Sequence, residues 1–587
     1  MHIAPKNPSP FYLPLLLLAM CILTHAGILS HSFMIDDSFF RDDQARLKQY
    51  PHIIDFFTQN QSTHYIPLNF LLNVPLFHLI KLPLPLYIFN ICLFYIDCLL
   101  LFIFIDLITK NTAAAFLTGI IFCIHPMSSE IVQHITFNII LVQLALVLTS
   151  LITLYKYSRT EDHPLRYYII SLIAASLALL CQENSLLFPF YAAALLFCMT
   201  DVSPIKIIKI LTPYILLDFL LLILWQTNAG HTANIIQSIQ SFQLSFFDWS
   251  ANFFRMTAWY IKNLFVPGNI AFEYSQAPVI GLSYLWNFVP WTILAGSTLL
   301  VIYHFKRSAV SFAVIIFLTG FIYAAPASLS HPDIGMVFEP HWLYFSSIGF
   351  FLLIALALLK LKGCINRLLY LALASSILIS FYLSTEALHL MAKNELDYCE
   401  NWLRVSPHNT YAMSLLAQDY SSDKSIAIPT DLIPDMLNAI DLLIKNDYFI
   451  SAPKLIGKLS SYPLSPAQRW QLLLRSAVDH CKYGTQGQCA EISERIVHSS
   501  NDPGNYIQLS YLLDEFDIDG QALALLGQCM ARYPDYKEAY LLDGIILANQ
   551  QHYTESIAVW ERGLKIAPGD QRFIANIDKA RSLSSGS

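Results

Sequence analysis

The chain has 587 residues and a formal net charge of −7, and 55% of its residues are hydrophobic whereas only 13% are charged. Because soluble proteins contain about 25% charged residues, this composition excludes an ordinary soluble protein and predicts a membrane protein. The acidic balance and the lack of a long basic run also argue against nucleic acid as a partner.

Apolar blocks recur from about residue 11 to residue 386, and each is long enough, or nearly so, to cross a hydrocarbon core of about 30 Å. The segment 64–80 is apolar too, but Pro67 and Pro75 favour a helix lying at the membrane interface, with a true span as the alternative. We interpret the first block as a retained span, since no convincing cleavage site precedes Asp36. The predicted spans are 11–33, 84–106, 112–125, 135–155, 167–181, 186–200, 210–226, 285–304, 309–326, 342–359 and 368–386.

The distribution of basic residues predicts the orientation of these eleven spans. If the N-terminus is cytoplasmic, the short inner connections hold Lys6, Lys110, Lys156, Arg159, Arg166, Lys206, Lys209, Lys306, Arg307, Lys360, Lys362 and Arg367. The longer outer connections then hold only Arg41, Arg46, Lys48, Lys81, Arg255 and Lys262. We therefore expect a multi-pass protein of the bacterial inner membrane, with the C-terminal part of the chain in the periplasm.

The composition changes at about residue 388 to that of a soluble domain. Pro534 and Pro568 stand 34 residues apart, which is the period of a tetratricopeptide repeat. The aromatic, small, aromatic and proline positions of such a repeat match Tyr540, Gly544, Trp560 and Pro568. We expect an all-α chain in two parts: a membrane body over 1–387, with its first outer loop at 34–83, and a tetratricopeptide-type α-solenoid over 388–587.

Two features of the soluble part point to its use and its compartment. Stacked helical hairpins make concave surfaces that bind peptides or partner proteins, so we expect a protein partner there, with a merely structural helical domain as the alternative. Cys481 and Cys489 are close in sequence and flanked by polar residues, and they could form a disulfide in an oxidising compartment.

Polar residues from several separate connections fall at the predicted outer face. They are Asp36, Asp37, His125, Glu130, Glu183, Arg255 and Glu339. This convergence predicts a functional site at the membrane surface. Two further acids, Asp97 and Asp218, lie inside spans, where a paired structural acid is the favoured interpretation and an ion path is the alternative.

Several short motifs occur in a characteristic order: "IDD", "HYIPLNFLLNVPLFHLI", "IFCIHPMSSEIVQHI", "LALLCQENSLLFPFYAAALL" and "EPHWLYFSSIGFFLLIA", followed by the repeats. In this order the chain resembles the membrane glycosyltransferases with C-terminal tetratricopeptide repeats, such as the transmembrane protein O-mannosyltransferases. More broadly it resembles the GT-C superfamily, whose members use polyprenyl-phosphate sugars. The resemblance covers most of the chain, and the order of the motifs carries more weight than any one of them.

This resemblance implies that Asp36 or Asp37 is the general base of an inverting sugar transfer. A carboxylate is suited to take the proton of an acceptor hydroxyl; the alternative from the local sequence is that the pair caps an interfacial helix. The resemblance also implies a polyprenyl-phosphate-linked sugar as donor, and as acceptor a glycan or a protein Ser/Thr presented by the repeats. The candidate substrate-binding residues are His64, Tyr65, His125, Glu130, Glu183, Arg255, Lys262, Glu339 and Tyr344.

The chain departs from the family where cations are expected. Ile66 and Pro340 replace two arginines, and Asn138 lies where another is usual. Because a departing phosphate needs positive charge, His64, His125, Arg255 and Lys262 are the candidate substitutes. A divalent ion held by Asp36 or Asp37 with Glu130 or Glu183 is a further option, and oxygen ligands suit Mg²⁺ or Mn²⁺.

Two other functions are compatible with the sequence. An oligosaccharide ligase or polymerase would need a large outer loop rich in Arg and His, and the outer loops here are poor in Arg. A non-enzymatic membrane-anchored scaffold would explain the missing arginines, but it gives no reason for acids to gather at one face.

Overall fold

The computed structural model describes residues 12–35, 37, 40, 52–58, 65–160, 164–229, 237–268, 270, 272–281, 296, 298, 303, 307–330, 335–407, 409–423 and 425–584. The described chain is almost entirely helical, as the sequence predicts, and its contacts divide it into two units, Met1–Asn409 and Thr410–Ser587. The division falls about 20 residues beyond the predicted boundary at 387, so the helix Glu395–Val405 belongs to the first unit.

The first unit contains fifteen described α-helices and one short two-stranded sheet. The helices are α1 Tyr12–His25, α2 Asp55–Thr58, α3 Pro67–Leu79, α4 Pro83–Thr109, α5 Thr112–Ile124, α6 Pro126–Val132, α7 Asn138–Arg159, α8 Leu165–Cys181, α9 Phe188–Met199, α10 Pro204–Ala229, α11 Phe246–Phe265, α12 Ala309–Ala327, α13 Ser347–Leu361, α14 Arg367–Met391 and α15 Glu395–Val405. Single 3₁₀ turns cover Ala26–Ser30, Ile135–Phe137, Glu183–Leu187 and Pro340–Leu343. Strand β1 Tyr274–Gln276 pairs antiparallel with β2 Met336–Phe338.

Six helices of the described residues are long and apolar enough to cross a membrane, and a bent pair, α5 with α6, would make a seventh. Helices α8 and α13 and the segment Glu183–Met199 are apolar but shorter. Large apolar side chains on α10 and α14, such as Phe219 and Leu368, are exposed, and lipid is the surrounding that such a surface suits. A membrane protein is therefore supported. The predicted span at 285–304 lies almost wholly outside the described residues.

Local sequence explains where these helices begin and end. Proline occupies the first position of α3, α4, α6 and α10, where its missing N–H would be unpaired in any case. Lys110 ends α4 in the left-handed region with φ 54°, and Asn111 then caps α5 by accepting a hydrogen bond from Ala114. The apolar segment 64–80 forms the helix α3; its first predicted residue, His64, lies outside the described residues.

The second unit consists of paired helices. They are α16 Thr410–Ser422, α17 Ile433–Lys445, α18 Ser451–Leu459, α19 Pro466–Tyr483, α20 Gln486–Val497, α21 Gly504–Glu515, α22 Asp519–Arg532, α23 Lys537–Asn549, α24 Tyr553–Ile566 and α25 Gln571–Ser584, with a 3₁₀ turn at Thr430–Leu432. Cys481 and Cys489 form a disulfide between α19 and α20.

The turns of this unit repeat one geometry. Asp517 and Gln551, 34 residues apart, both have positive φ, at 60° and 64°. In each turn the next residue's N–H bonds to a carbonyl five residues earlier: Ile518 to Leu513 and His552 to Leu547, both at 2.9 Å. The 34-residue period read from the sequence therefore recurs in the backbone of α21–α22 and α23–α24.

Candidate functional site

The candidate site is built around the junction of α5, α6 and α7, where the helical path bends twice. Pro126 disfavours helix at the residue before it, and His125 is accordingly extended, with φ −85° and ψ 131°. The axes of α5 and α6 meet at 60°. The ring Nδ1 of His125 accepts the N–H of Met127 at 3.1 Å, and Nε2 donates to the Leu264 carbonyl at 3.0 Å. His125 is thus fully buried and bonded as a helix cap.

Glu130 and His134 form a buried pair at this junction. A carboxylate oxygen of Glu130 lies 2.9 Å from Nε2 of His134, and the two side chains are 0% and 2% exposed. The segment is held from the side by Asn90 on α4, whose amide donates to the carbonyls of Val132 at 3.3 Å and His134 at 2.9 Å. Glu130 lies in the second turn of α6, so it does not stabilise the first turn as a capping acid would.

Asp37 reaches the same junction from the first predicted outer loop. Its Oδ1 accepts the backbone N–H of Thr136 at 3.2 Å, and its Oδ2 accepts that of Met34 at 3.0 Å. The residue is 1% exposed. Just upstream, the Ser32 carbonyl accepts the hydroxyl of Tyr87 on α4 at 2.8 Å. Asp36, the other acid of the pair, lies outside the described residues.

Glu339 and His341 belong to a segment far downstream in the sequence, directly after strand β2. Strand β2 leads directly into Glu339, whose carboxylate lies 3.2 Å from Nδ1 of His341 and whose carbonyl accepts the Tyr260 hydroxyl at 2.8 Å. The ring of Phe137 lies between the two histidines, with centroids 5.0 Å from His134 and 5.0 Å from His341. Two Glu–His pairs are therefore joined through one aromatic ring.

Glu183 begins the 3₁₀ turn after α8, as a carboxylate favoured at a helix start does. It is 3% exposed, and its turn packs against α12, as does the turn Pro340–Leu343 that follows Glu339. The neighbouring Ser185 accepts the amide of Gln143 from α7 at 2.6 Å. Glu183 therefore lies in the neighbourhood of Glu339, beside the helix that follows the junction.

Two of the predicted cations, Arg255 and Lys262, lie on α11, and a third, His64, lies outside the described residues. Arg255 donates to the Ala277 carbonyl at 3.0 Å and to the side chain of Gln276 at 2.6 Å, beside β1, and partial burial lowers its pKa. Lys262 is exposed on α11. Lys393 was not predicted, yet its carbonyl accepts the N–H of Ser32 at 3.1 Å. It therefore lies at the start of the first loop.

Tyr65 and Tyr344 are bonded away from the junction. The Tyr65 hydroxyl donates to the Phe57 carbonyl at 3.0 Å, its ring packs with Trp225, and burial raises its pKa. The Tyr344 hydroxyl donates to Asp97 at 3.1 Å. Asp97 is thus hydrogen-bonded to a tyrosine, as a paired acid would be.

Sequence reasoning missed His134 and His341 as members of the site. A weak signal was present for each, since His134 follows Glu130 by four residues, one helical turn, and His341 follows Glu339 by two. No sequence pattern around Lys393 predicted that it lies at the site, because its position depends on where α14 ends relative to the first loop.

The described acids Asp37 and Glu130 already have polar neighbours. Both oxygens of Asp37 accept backbone N–H groups, and Glu130 faces an imidazole. Within the described part of the chain, the one group of side chains with the spacing of a metal site is Cys21, His25 and Cys123, which contains no acid. No protein-family model matches the sequence, and no curated protein is significantly similar to it.

Proposed function

We propose that this protein is an inverting glycosyltransferase of the GT-C type, which moves a sugar from a polyprenyl-phosphate carrier to an acceptor at the outer face of the membrane. The observation that carries the proposal is the hydrogen bond from Thr136 to Asp37. It brings the acidic first loop to the buried Glu130–His134 pair, so acids far apart in the sequence meet beside apolar helices. A lipid-borne donor and a water-soluble acceptor can meet only at such a boundary.

In this proposal the Asp36–Asp37 pair supplies the general base. The base takes the acceptor's hydroxyl proton as the bond to the sugar's C1 forms and the bond to the lipid phosphate breaks. One displacement inverts the anomeric centre. Because Asp37 is fixed by two N–H groups, we assign it to positioning the loop and Asp36 to proton removal.

The leaving phosphate requires positive charge in this mechanism. The structure offers no described arginine at the junction, so we assign this role to Lys393 and to His134. The charge of Lys393 and that of His134 both act on His31, a residue of the same region. The protein would then bind the phosphate with a lysine and an imidazole where the family it resembles uses arginine.

The finer architecture belongs to the same proposal. Ten of the eleven predicted spans coincide with described helices. Six of these helices are each long enough to cross a membrane as a single helix. We propose that the shorter ones also cross and that α3 lies at the interface. The 34-residue recurrence of turns supports tetratricopeptide repeats in the second unit, with α25 as the capping helix and the concave surface as the site for a protein partner or acceptor.

The disulfide supports the proposed location of the second unit. Disulfides persist in the periplasm and outside cells but are rare in the cytosol, and Cys481 and Cys489 are joined. With a cytoplasmic N-terminus and an odd number of spans, the second unit would be periplasmic. Labelling of introduced cysteines near residues 130, 183 and 450 from the periplasmic side would test this orientation.

The function is tested by profiling the glycans and glycoproteins of a deletion strain complemented with wild type, Asp36→Ala or Asp37→Ala. The proposal predicts that wild type restores at least one glycoconjugate and that neither variant does so fully. Asp55→Asn is a matched control, because Asp55 is an acid of the same loop that accepts the N–H of His52 at 2.7 Å near the surface. If both variants restore every glycan at wild-type protein levels, the glycosyltransferase proposal is wrong, and the non-enzymatic membrane-anchored scaffold becomes the favoured function.

A further inference from the structure

A cluster of cysteine and histidine side chains lies inside the helix bundle, apart from the acidic junction. Sulfur atoms of Cys21 and Cys123 and a ring nitrogen of His25 all lie within 4.8 Å of one another, and all three residues are fully buried. They come from α1 and α5, whose close approach is seen at Gly119, where an added Cβ would lie 3.3 Å from Leu17.

The hydrogen bonding of His25 leaves one ring nitrogen available. Nε2 lies 3.2 Å from the carbonyl of Cys123, and since a carbonyl only accepts, Nε2 carries the proton. In a neutral imidazole the lone pair is then on Nδ1, and Nδ1 has no hydrogen-bond partner among the described residues. A ring N–H bonded to a backbone carbonyl is the usual support of a metal-binding histidine.

A second histidine adjoins the cluster. His389 on α14 is 2% exposed, its ring centroid is 5.2 Å from that of His25, and its imidazole faces the backbone carbonyl of Thr24 beside the cluster. Helix α14 is fixed here because Thr385 donates to the carbonyl of Ile124 at 2.7 Å. Leaving a buried polar atom such as Nδ1 of His25 unpaired destabilises a fold, so a shared ligand would offset that loss.

We propose that Cys21, Cys123, His25 and His389 bind one zinc ion that joins α1, α5 and α14. Two thiolates and two neutral imidazoles around Zn²⁺ give a complex without net charge, which a buried apolar site favours. On binding, two thiol protons leave to water as the two Zn–S bonds form. Tetrahedral sites with Zn–S bonds of about 2.3 Å place sulfurs about 3.8 Å apart, so Cys21, His25 and Cys123 need only a small contraction. His389 must turn its ring toward them to complete the site.

The zinc site would stabilise the junction of α5 and α6 by holding the C-terminal end of α5. Cys123 lies two residues before His125, where the chain turns into α6. An ion joining α5 to α1 and α14 would therefore hold the end of α5, and with it the segment that carries Glu130. This inference is independent of the proposed glycosyltransferase activity.

The test is metal analysis of the full-length protein purified in detergent without a metal-affinity tag. Wild type should contain about one zinc ion per chain. The double variant Cys21→Ser/Cys123→Ser should contain at least about tenfold less zinc than wild type. Cys92→Ser/Cys364→Ser is the matched control, since these two free cysteines are exposed, and it should keep the zinc.

Two further measurements keep the test decisive if the double variant folds poorly. Cobalt substituted into wild type should give thiolate-to-metal charge-transfer absorption and tetrahedral d–d bands. His389→Ala should weaken zinc binding, whereas Cys98→Ser, which removes a thiol that contacts Cys123, should not; the reverse result would overturn the fourth ligand. The site would be overturned by any of three results. These are a wild type that contains no zinc, equal zinc contents in the wild type and the double variant, and a Cys21–Cys123 disulfide found by mass spectrometry.

Discussion

The carboxylate of Asp37 accepts the backbone N–H of Thr136 at 3.2 Å, across 99 residues of sequence. This contact joins the first loop to the segment between α6 and α7. It brings Asp37 beside the segment that follows the Glu130–His134 pair, and the first prediction follows from it.

Asp37→Ala removes the acceptor of two backbone N–H groups in a buried setting. Hydrogen bonds to charged groups contribute about 1.5–3 kcal/mol each, so for two bonds we expect a loss of about 3–6 kcal/mol of stability, seen as a lower unfolding midpoint in detergent. Asp36→Ala should leave that midpoint near wild type while abolishing activity. Equal midpoints for wild type and Asp37→Ala would contradict the positioning role.

Glu130 and His134 should behave as a coupled pair. Removing one partner leaves the other buried and unpaired, which destabilises by about 3–5 kcal/mol, so Glu130→Gln and His134→Gln should each lower the unfolding midpoint. The double variant should be little worse than either single one, and a double-mutant cycle measures this coupling.

The control for that cycle is His552 and Glu555. They lie 3.4 Å apart on the surface of the second unit, with side chains 55% and 67% exposed. Exposed pairs contribute little, so His552→Gln should not change the midpoint. Additive effects at Glu130 and His134 would show that these two side chains are not coupled.

Gly544 is required by the packing of α23 on α24. An added Cβ would overlap the indole of Trp560, whose Nε1 donates to the Leu541 carbonyl at 3.1 Å. Overpacking of this kind destabilises by about 1–3 kcal/mol, so Gly544→Ala should speed amide hydrogen exchange in α23 and α24. Gly527→Ala is the control, since nothing lies within 4 Å of an added Cβ there. Unchanged exchange in Gly544→Ala would contradict the repeat packing.

Asp543 should make α23 and α24 less stable as the pH rises. Burial raises its pKa to about 6, against the opposing charge of Arg562, whereas an unfolded aspartate has a pKa of about 3.9. Between these values the folded state holds a proton that the unfolded state has lost, so stability falls as pH increases from about 4 to about 6.

Asp543→Asn should remove this pH dependence. At pH 8 the variant should be more stable than wild type by up to about 3 kcal/mol, and below pH 4 the two should not differ for this reason. Hydrogen exchange of α23 and α24 in the full-length protein, corrected for the intrinsic effect of pH, measures it. A wild type that is equally protected at pH 5 and pH 8 would refute the assignment.

The sequence predicted those features that depend on neighbouring residues. The break at His125–Pro126 follows from the restriction that proline places on the residue before it, and the turns at Asp517 and Gln551 follow the 34-residue period. The all-helical class follows from the length of the apolar blocks. Each of these patterns is contained within one helix or one hairpin.

Contacts between distant spans were beyond such reasoning. Tyr344 was predicted at the site, but its hydroxyl bonds Asp97 across 247 residues. Arg255 was predicted beside the acids, yet it bonds Gln276 and Ala277 beside β1. An apolar helix is hydrophobic on every side, so its sequence does not show which face meets which neighbour. The approach of Cys21 and His25 on α1 to Cys123 on α5 was hidden for the same reason.

The most direct measurement of the proposed function is sugar transfer by the reconstituted protein. Membrane lipids of the deletion strain, labelled with radioactive sugar, would supply the accumulated donor, and envelope proteins and glycans of that strain would supply the acceptor. The account predicts that wild type moves label from the lipid phase to the acceptor and that Asp36→Ala does not. If wild type moves no more label than empty proteoliposomes, the protein is not a glycosyltransferase of this kind.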